Sequence, residues 1–96
     1  MADVPAVTHH AGASQFEIHT GAGTALLRYR VDGATLDLLH TEVPKSLEGG
    51  GYGSALVRAA LDYARLNTLQ VIPTCPFVRA YMLKHHEYND LRAAPR

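Results

Sequence analysis

Two parts of the chain carry residue types suited to chemistry. One is the run Leu47–Ala60, "LEGGGYGSALVRAA", where four glycines fall within five positions and an Ala/Leu/Val-rich segment follows at once. The other is the pair His40 and Cys75; Cys75 is the single cysteine and His40 is one of six histidines. A helix N-terminus leaves backbone N–H groups unpaired and carries the positive end of the helix dipole. Bare glycines let anionic oxygens reach those amides, so "GGGYGS" reads as a diphosphate cradle. The competing reading is a glycine-rich turn that only swings the chain back. A P-loop would need a lysine after the glycines, and none follows. A dinucleotide fingerprint would use Gly49, Gly51 and Ser54, and so lacks its third glycine; the chain is also too short for two mononucleotide-binding halves.

Cys75 stands just before Pro76 at the start of a helix, where the dipole favours the reactive thiolate. His40, with an ordinary pKa near ~6.5, can exchange a proton at neutral pH. A Cys–His pair can activate sulfur as a nucleophile. The plainer alternative is packing, because cysteine is among the most buried residue types. The other histidines read as bland. His9 and His10 sit in a tail of small and polar residues and read as solvated. His19 points outward from a short strand, and His85 and His86 close a helix as C-terminal cations.

These residues need a frame. Residues 1–14 read as a flexible N-terminal arm. Gln15–Thr20 alternates Phe16 and Ile18 with polar residues, as a half-buried strand does. After a Gly21–Gly23 turn, Thr24–Val31 sets Leu27, Tyr29 and Val31 on one face and Arg28 and Arg30 on the other. Asp32-Gly33 signals a hairpin. The third strand, Ala34–Val43, sets Leu36, Leu38 and His40 on one face and Leu39, Thr41 and Val43 on the other, which predicts a central strand. Pro44 ends it. Tyr52–Leu66 has helical spacing, with a stripe of Leu56, Ala59, Ala60 and Tyr63 flanked by Val57, Leu61 and Ala64. Leu69–Cys75 is a short apolar strand, and Pro76 suits the first position of a second helix. Residues beyond about Asn89 read as fraying, with 92–96 a C-terminal tail.

The order is β-β-β-α-β-α: an antiparallel meander followed by a parallel, right-handed βαβ unit. The class is therefore α+β / α/β, a compact mixed sheet in one domain over residues 15–91. Ligands in open α/β sheets favour the edge at the C-terminal ends of parallel strands. His40, Cys75 and the glycine loop all fall at that edge.

The stretch "EGGGYGSALVRAAL" resembles the coenzyme A loop of the GNAT acetyltransferase superfamily, [QR]-x-x-G-x-[GA] opening a long helix. Gly51 and Gly53 match its glycines, and Glu48 stands where that family usually has Gln or Arg. With "HTEVP" and "CPFVRAY" the match extends from Phe16 to Leu91 and resembles small, single-domain GNAT-like proteins. The resemblance implies a GNAT-like sheet and an acetyl-CoA-dependent N-acetyltransferase. It places the coenzyme against Thr41, Val43, Glu48, Gly49, Gly50, Gly51, Tyr52, Gly53, Ser54 and Pro76. It implies catalytic roles for Cys75 and His40, with two routes open. Cys75 accepts the acetyl group, or His40 deprotonates the amine while Cys75 only lines the pocket. Tyr81 matches a tyrosine that protonates the departing coenzyme thiolate in such proteins; the alternative for Tyr81 is a core position. Lys45, Arg58 and Lys84 read by default as exposed cations; the alternative is that they face the coenzyme phosphates. The implied partner is an amine acceptor: a peptide, a protein or a small amine. The competing function is a coenzyme-binding or protein-interaction module with little turnover, which the Glu48 departure favours.

Composition bounds the rest. Lys plus Arg equals Asp plus Glu, nine each, so general nucleic-acid binding is not expected. No stretch approaches the roughly 18 apolar residues of a membrane span, and the N-terminus lacks a basic region followed by an apolar run. One cysteine fits a reducing compartment, hence a cytoplasmic protein, and rules out a thiolate-rich zinc site within one chain. No metal is expected, and the chain is read as a monomer or weak dimer.

Overall fold

A computed structural model describes residues 5–93 of the chain. Its sheet has five strands in the order β1-β2-β3-β4-β5: β1 Thr8–His10, β2 Gln15–Thr20, β3 Gly23–Asp32, β4 Thr35–Glu42 and β5 Gln70–Ile72. β1 to β4 are antiparallel, and β4 and β5 are parallel. Helix α1 (Tyr52–Leu66) makes the crossover, and α2 (Pro76–Lys84) follows β5. The mixed α+β sheet is thus the one its sequence predicts, with one strand more at its start.

The meander arises from two two-residue loops. Thr20 pairs with Gly23 and Asp32 with Thr35, so Gly21-Ala22 and Gly33-Ala34 make the reversals. Phe16, Ile18, Ala25, Leu27, Tyr29, Leu36 and Leu38 then share a face and are buried. Leu56, Val57, Ala60, Leu61 and Ala64 of α1 close over them, and Val78, Tyr81 and Met82 of α2 join the same core. Ala59 and Tyr63, expected in the central stripe of α1, lie on its flank and are half-buried. Val31 leaves the core as β3 runs out to its turn and is 49% exposed.

The main departure from strict alternation lies in β4. Arg28 pairs with His40 and Tyr29 with Leu38, which leaves Leu39 without a partner. Such a bulge adds one residue to one strand and reverses which face the following side chains take. Thr41 therefore sits opposite fully buried Leu27, and His40 sits opposite exposed Arg28. The expectation that His40 shares a face with Leu36 and Leu38 fails for this reason.

The described residues near both ends are more ordered than expected, and residues 1–4 of the expected arm lie outside the described part. Within residues 1–14, Thr8–His10 pairs with Gln15–Glu17 as a strand. His9 is not solvated: its ring stacks on Phe16 at 4.3 Å, meets Tyr63 edge-on at 4.6 Å and lies 2.6 Å from the Tyr29 hydroxyl through Nε2. His10 and His19 both reach the Glu17 carboxylate, at 3.1 and 2.9 Å, and Gln15 donates to it as well. At the other end, a short 3-10 helix spans His86–Leu91. Tyr88 and Leu91 are buried, the Tyr88 hydroxyl donates to Asp62 at 2.9 Å, and Arg65 grips Asp90 through both terminal nitrogens. Burial first, then the Asp62 carboxylate, pushes the Tyr88 pKa up to about 12. Arg92 bridges to Val71, so the supposed tail covers the outer edge of β5; residues 94–96 lie outside the described part.

Burial lowers the pKa of His9 from its ordinary 6.5. The unfolded chain then binds the proton more readily than the folded one, so stability is full above pH 6.5 and falls as pH drops through the lower folded value. Thermal melts at pH 7.5 and 5.5 should show a smaller loss on acidification in His9→Phe, which keeps the stack without the titrating ring. An equal loss in both proteins would contradict this anchoring of β1.

Candidate functional site

The site is built where β4 and β5 part. Their ladder runs from Thr35–Gln70 to Asp37–Ile72 and stops. One further bond, from the Cys75 N–H to the Leu38 carbonyl at 2.9 Å, ties the strands just before the bulge. Beyond that bond β4 continues through Thr41 to Glu42, while the chain after β5 turns into α2. A slit opens between them, and the glycine loop lies at its mouth.

The loop's conformation explains its composition. Gly49 and Gly51 sit at φ 85° and 87°, in the left-handed region that glycine takes without strain. Gly51 is the N-cap of α1 and has no side chain to satisfy the helix, and no other side chain caps it among the described residues. The N–H groups of Tyr52, Gly53 and Ser54, in the first turn, have no acceptor within the helix. The helix dipole adds to their pull on an anion. Gly53 answers a different demand. A Cβ there would lie 2.8 Å from Cζ of Phe77, so glycine lets the Phe77 ring rest against the first turn of α1, and an added methyl would push that ring aside.

These elements enclose a cavity of about 510 Å³. Its walls are Thr41 from β4, Val43 just after that strand, Leu47 to Gly49 from the loop, Gly51 to Ser54 from the start of α1, and Phe77 from α2. Of the expected contacts, Thr41, Val43, Glu48, Gly49, Gly51, Tyr52, Gly53 and Ser54 all line it, whereas Gly50 and Pro76 do not. Leu47 and Phe77 were missed. Phe77 follows Pro76 in the first turn of α2, where helical spacing aligns it with Tyr81; yet Val78 and Met82 are the inward positions, and Phe77 is 44% exposed. A smaller cavity of about 260 Å³ adjoins the first, with Ser54 and Phe77 common to both. Tyr81, Lys84 and His85 border this second space.

The three candidate catalytic side chains do not come together. Cys75 is buried, and its sulfur lies 3.5 Å from Oγ1 of Thr41. Burial is the largest influence on the thiol and raises its pKa. Hydrogen bonds from the Thr41 hydroxyl, from the Val78 and Phe77 N–H groups and from the Thr41 backbone outweigh it, so the pKa falls below its ordinary value. No formal cap bond forms at Cys75; the diffuse sulfur lone pairs still feel the helix amides. Thr41, which the sequence placed only against the coenzyme, is thus the partner of Cys75. His40 projects from the opposite face of β4 and meets Glu42, with Nε2 3.5 Å from the carboxylate and both side chains more than half exposed. The expected Cys75–His40 pair is not formed, because the bulge at Leu39 separates them by face. Tyr81 is buried; its hydroxyl accepts from Nε of Arg58 at 3.5 Å, and its ring stacks on His85 at 4.0 Å. Lys45 and Arg58 are exposed and line neither cavity. Among the described residues no three His, Cys, Asp or Glu side chains gather as a metal site, and no helix is long and apolar enough to cross a membrane.

The arrangement is an uncapped helix start that opens into a slit between splayed parallel strands, and the chain is similar to known proteins over most of its length. The model of the GCN5-related N-acetyl-transferase family matches residues 15–91. The protein NATD1 of Xenopus tropicalis is 33% identical over 79 residues, which covers 79% of this chain and 72% of NATD1. Its counterpart in Danio rerio is 31% identical over 89 residues, covering 88% and 81%. The solution structure of a GCN5-like protein from Staphylococcus aureus superimposes with a TM-score of 0.72 at 27% identity, over 99% of this chain and 94% of that one. The family model and the fold agree: this chain belongs to the GCN5-related N-acetyltransferases.

Proposed function

We propose that the protein transfers an acetyl group from acetyl-CoA to an amine, directly and without an acetyl-cysteine intermediate. The observation that carries this reading is the continuity of the 510 Å³ cavity, which runs from the amides of Gly49 and Gly51–Ser54 to Thr41 in the slit. The amides take the diphosphate, and the pantetheine arm passes Val43 and Phe77, which brings the thioester to the bulged part of β4. The catalytic unit is residues 15–91, which the strand β1 extends.

The two faces of β4 divide the work. His40, held beside Glu42 on the outer face, takes the proton from the attacking ammonium. The freed amine nitrogen then bonds to the carbonyl carbon, the carbon–sulfur bond breaks, the second proton of that nitrogen passes to the departing thiolate, and coenzyme A leaves as the thiol while His40 returns its proton to solvent. The direct route is favoured because Cys75 is buried and its near neighbour is a threonine, which is no base at neutral pH. Tyr81 is assigned to the departing thiolate on the resemblance only, since its hydroxyl is turned to Arg58. A second reading, a coenzyme-binding module with little turnover, draws on Glu48, whose residue borders the cavity where a carboxylate opposes a diphosphate.

Titration with acetyl-CoA, followed at the backbone amides by NMR, tests the site. Gly49, Gly51 and Gly53 should shift first; saturation with shifts confined elsewhere, or no saturation, would sink the coenzyme reading. Gly53→Ala should fold normally, since alanine favours the helix by about 0.5–1 kcal/mol. Its methyl pushes Phe77 against the ligand, and we expect binding weaker by roughly 5- to 30-fold, or about 1–2 kcal/mol.

Turnover separates the two readings. With an amine panel, His40→Gln should lower kcat by about 100-fold or more while leaving acetyl-CoA affinity unchanged, and Tyr81→Phe should cost less. Saturable binding of acetyl-CoA with no product from any amine would favour the module instead.

A further inference from the structure

The inner end of the slit is closed, and the two side chains that close it are not the ones that bind an anion. Of the cavity-lining residues, Val43 lies just past the end of β4, next to the loop, and Thr41 farther back on the strand. Behind Thr41 the gap ends. Cys75 Sγ lies 3.5 Å from the Thr41 hydroxyl, and the Cys75 N–H is bonded to the Leu38 carbonyl at 2.9 Å. Cys75 itself is only 5% exposed and does not line the cavity. Leu38 and Val78, which flank it, are fully buried. A group that travels inward from the glycine loop therefore meets Thr41 first and the sulfur behind it, with packed core beyond.

We propose that Thr41 and Cys75 form a floor that limits the donor to short acyl thioesters of two or three carbons. The proposal rests on the coenzyme reading given above and adds the selectivity of the acyl end. A closed, well-packed floor rejects extra methylenes because the core must be pushed aside to admit them. The same contact gives Cys75 a role as a positioning and specificity residue that needs no base beside it. Truncating either side chain removes atoms from the floor and leaves the anion-binding amides untouched.

The test is a series of equilibrium titrations of the intact chain with coenzyme A and with acetyl-, propionyl-, butyryl- and hexanoyl-CoA. The wild-type protein should bind the butyryl and hexanoyl thioesters at least about tenfold more weakly than the acetyl one. In Cys75→Ala that ratio should shrink to roughly threefold or less, with affinity for free coenzyme A unchanged. Thr41 also lines the coenzyme cavity, so in Thr41→Ala each thioester is compared with that variant's own affinity for free coenzyme A, and the ratio should shrink likewise. The wild-type series decides the matter even if one variant folds poorly. Equal wild-type affinity across chain lengths would overturn the floor while leaving the coenzyme site intact, and so would variants that keep the wild-type ratio. Failure of every thioester and of coenzyme A itself to bind would remove the coenzyme reading and the floor with it.

Discussion

One unpaired residue, Leu39, sets the geometry on which the rest depends. A β-strand alternates its side chains with a period of two, so one added residue exchanges the faces of all that follow. Without the bulge, Thr41 would point away from the core and His40 toward it. With it, Thr41 meets Cys75 on the helix side, and His40 stands with Glu42 on the other side. The bulge also coincides with the end of the β4–β5 ladder, just past the Leu38–Cys75 bond. A strand that has stopped pairing with its neighbour has free peptide groups, and a slit lined by such groups can hold an amide-rich ligand and orient a carbonyl.

The second constraint is the meeting of two helix N-termini at that slit. α1 brings its first-turn amides to the mouth, and α2 brings Phe77 to the wall, with Cys75 behind Thr41. Two positive helix ends would repel if nothing anionic lay between them. At one end the Phe77 and Val78 amides bond the Cys75 sulfur. The uncapped amides of the other are left for a ligand. Gly53 permits this convergence, since any side chain there would have to displace Phe77. The glycine cluster thus has two separate causes: left-handed backbone at Gly49 and Gly51, and helix-to-helix contact at Gly53.

A small domain must also manage its sheet edges and its thin core. Here the terminal segments do so. β1 covers the edge of β2 and brings an aromatic imidazole into a cluster with Phe16, Tyr29 and Tyr63. Arg92 and Ala93 pair with Val71 at the far edge. The outer face keeps a polar pattern, with Glu17 held by Gln15, His10 and His19, and Asp37 by Thr74. The contacts that anchor the two segments, His9 to Tyr29 and Tyr63, and Arg92 and Ala93 to Val71, join residues distant in sequence, which is why neither segment reads as ordered from local pattern.

Much of the architecture was legible in the sequence because it depends on local physics. Alternating Phe16 and Ile18, the Asp32-Gly33 turn, the 3.6-residue spacing of Leu56, Ala60 and Ala64, and Pro76 at a helix start each act over a few residues. The glycine loop was legible as a bare, left-handed helix start for the same reason, since its backbone freedom is a property of the residues themselves. Tertiary structure decided the rest. Where β4 would bulge was not encoded in an obvious signal, for Leu39 fits an apolar strand as well as its neighbours do, and the bulge is defined only against β3. That one offset determined which of His40 and Thr41 would face Cys75. Local sequence sets which conformations each segment prefers, whereas the pairing of one strand with another sets where its side chains point.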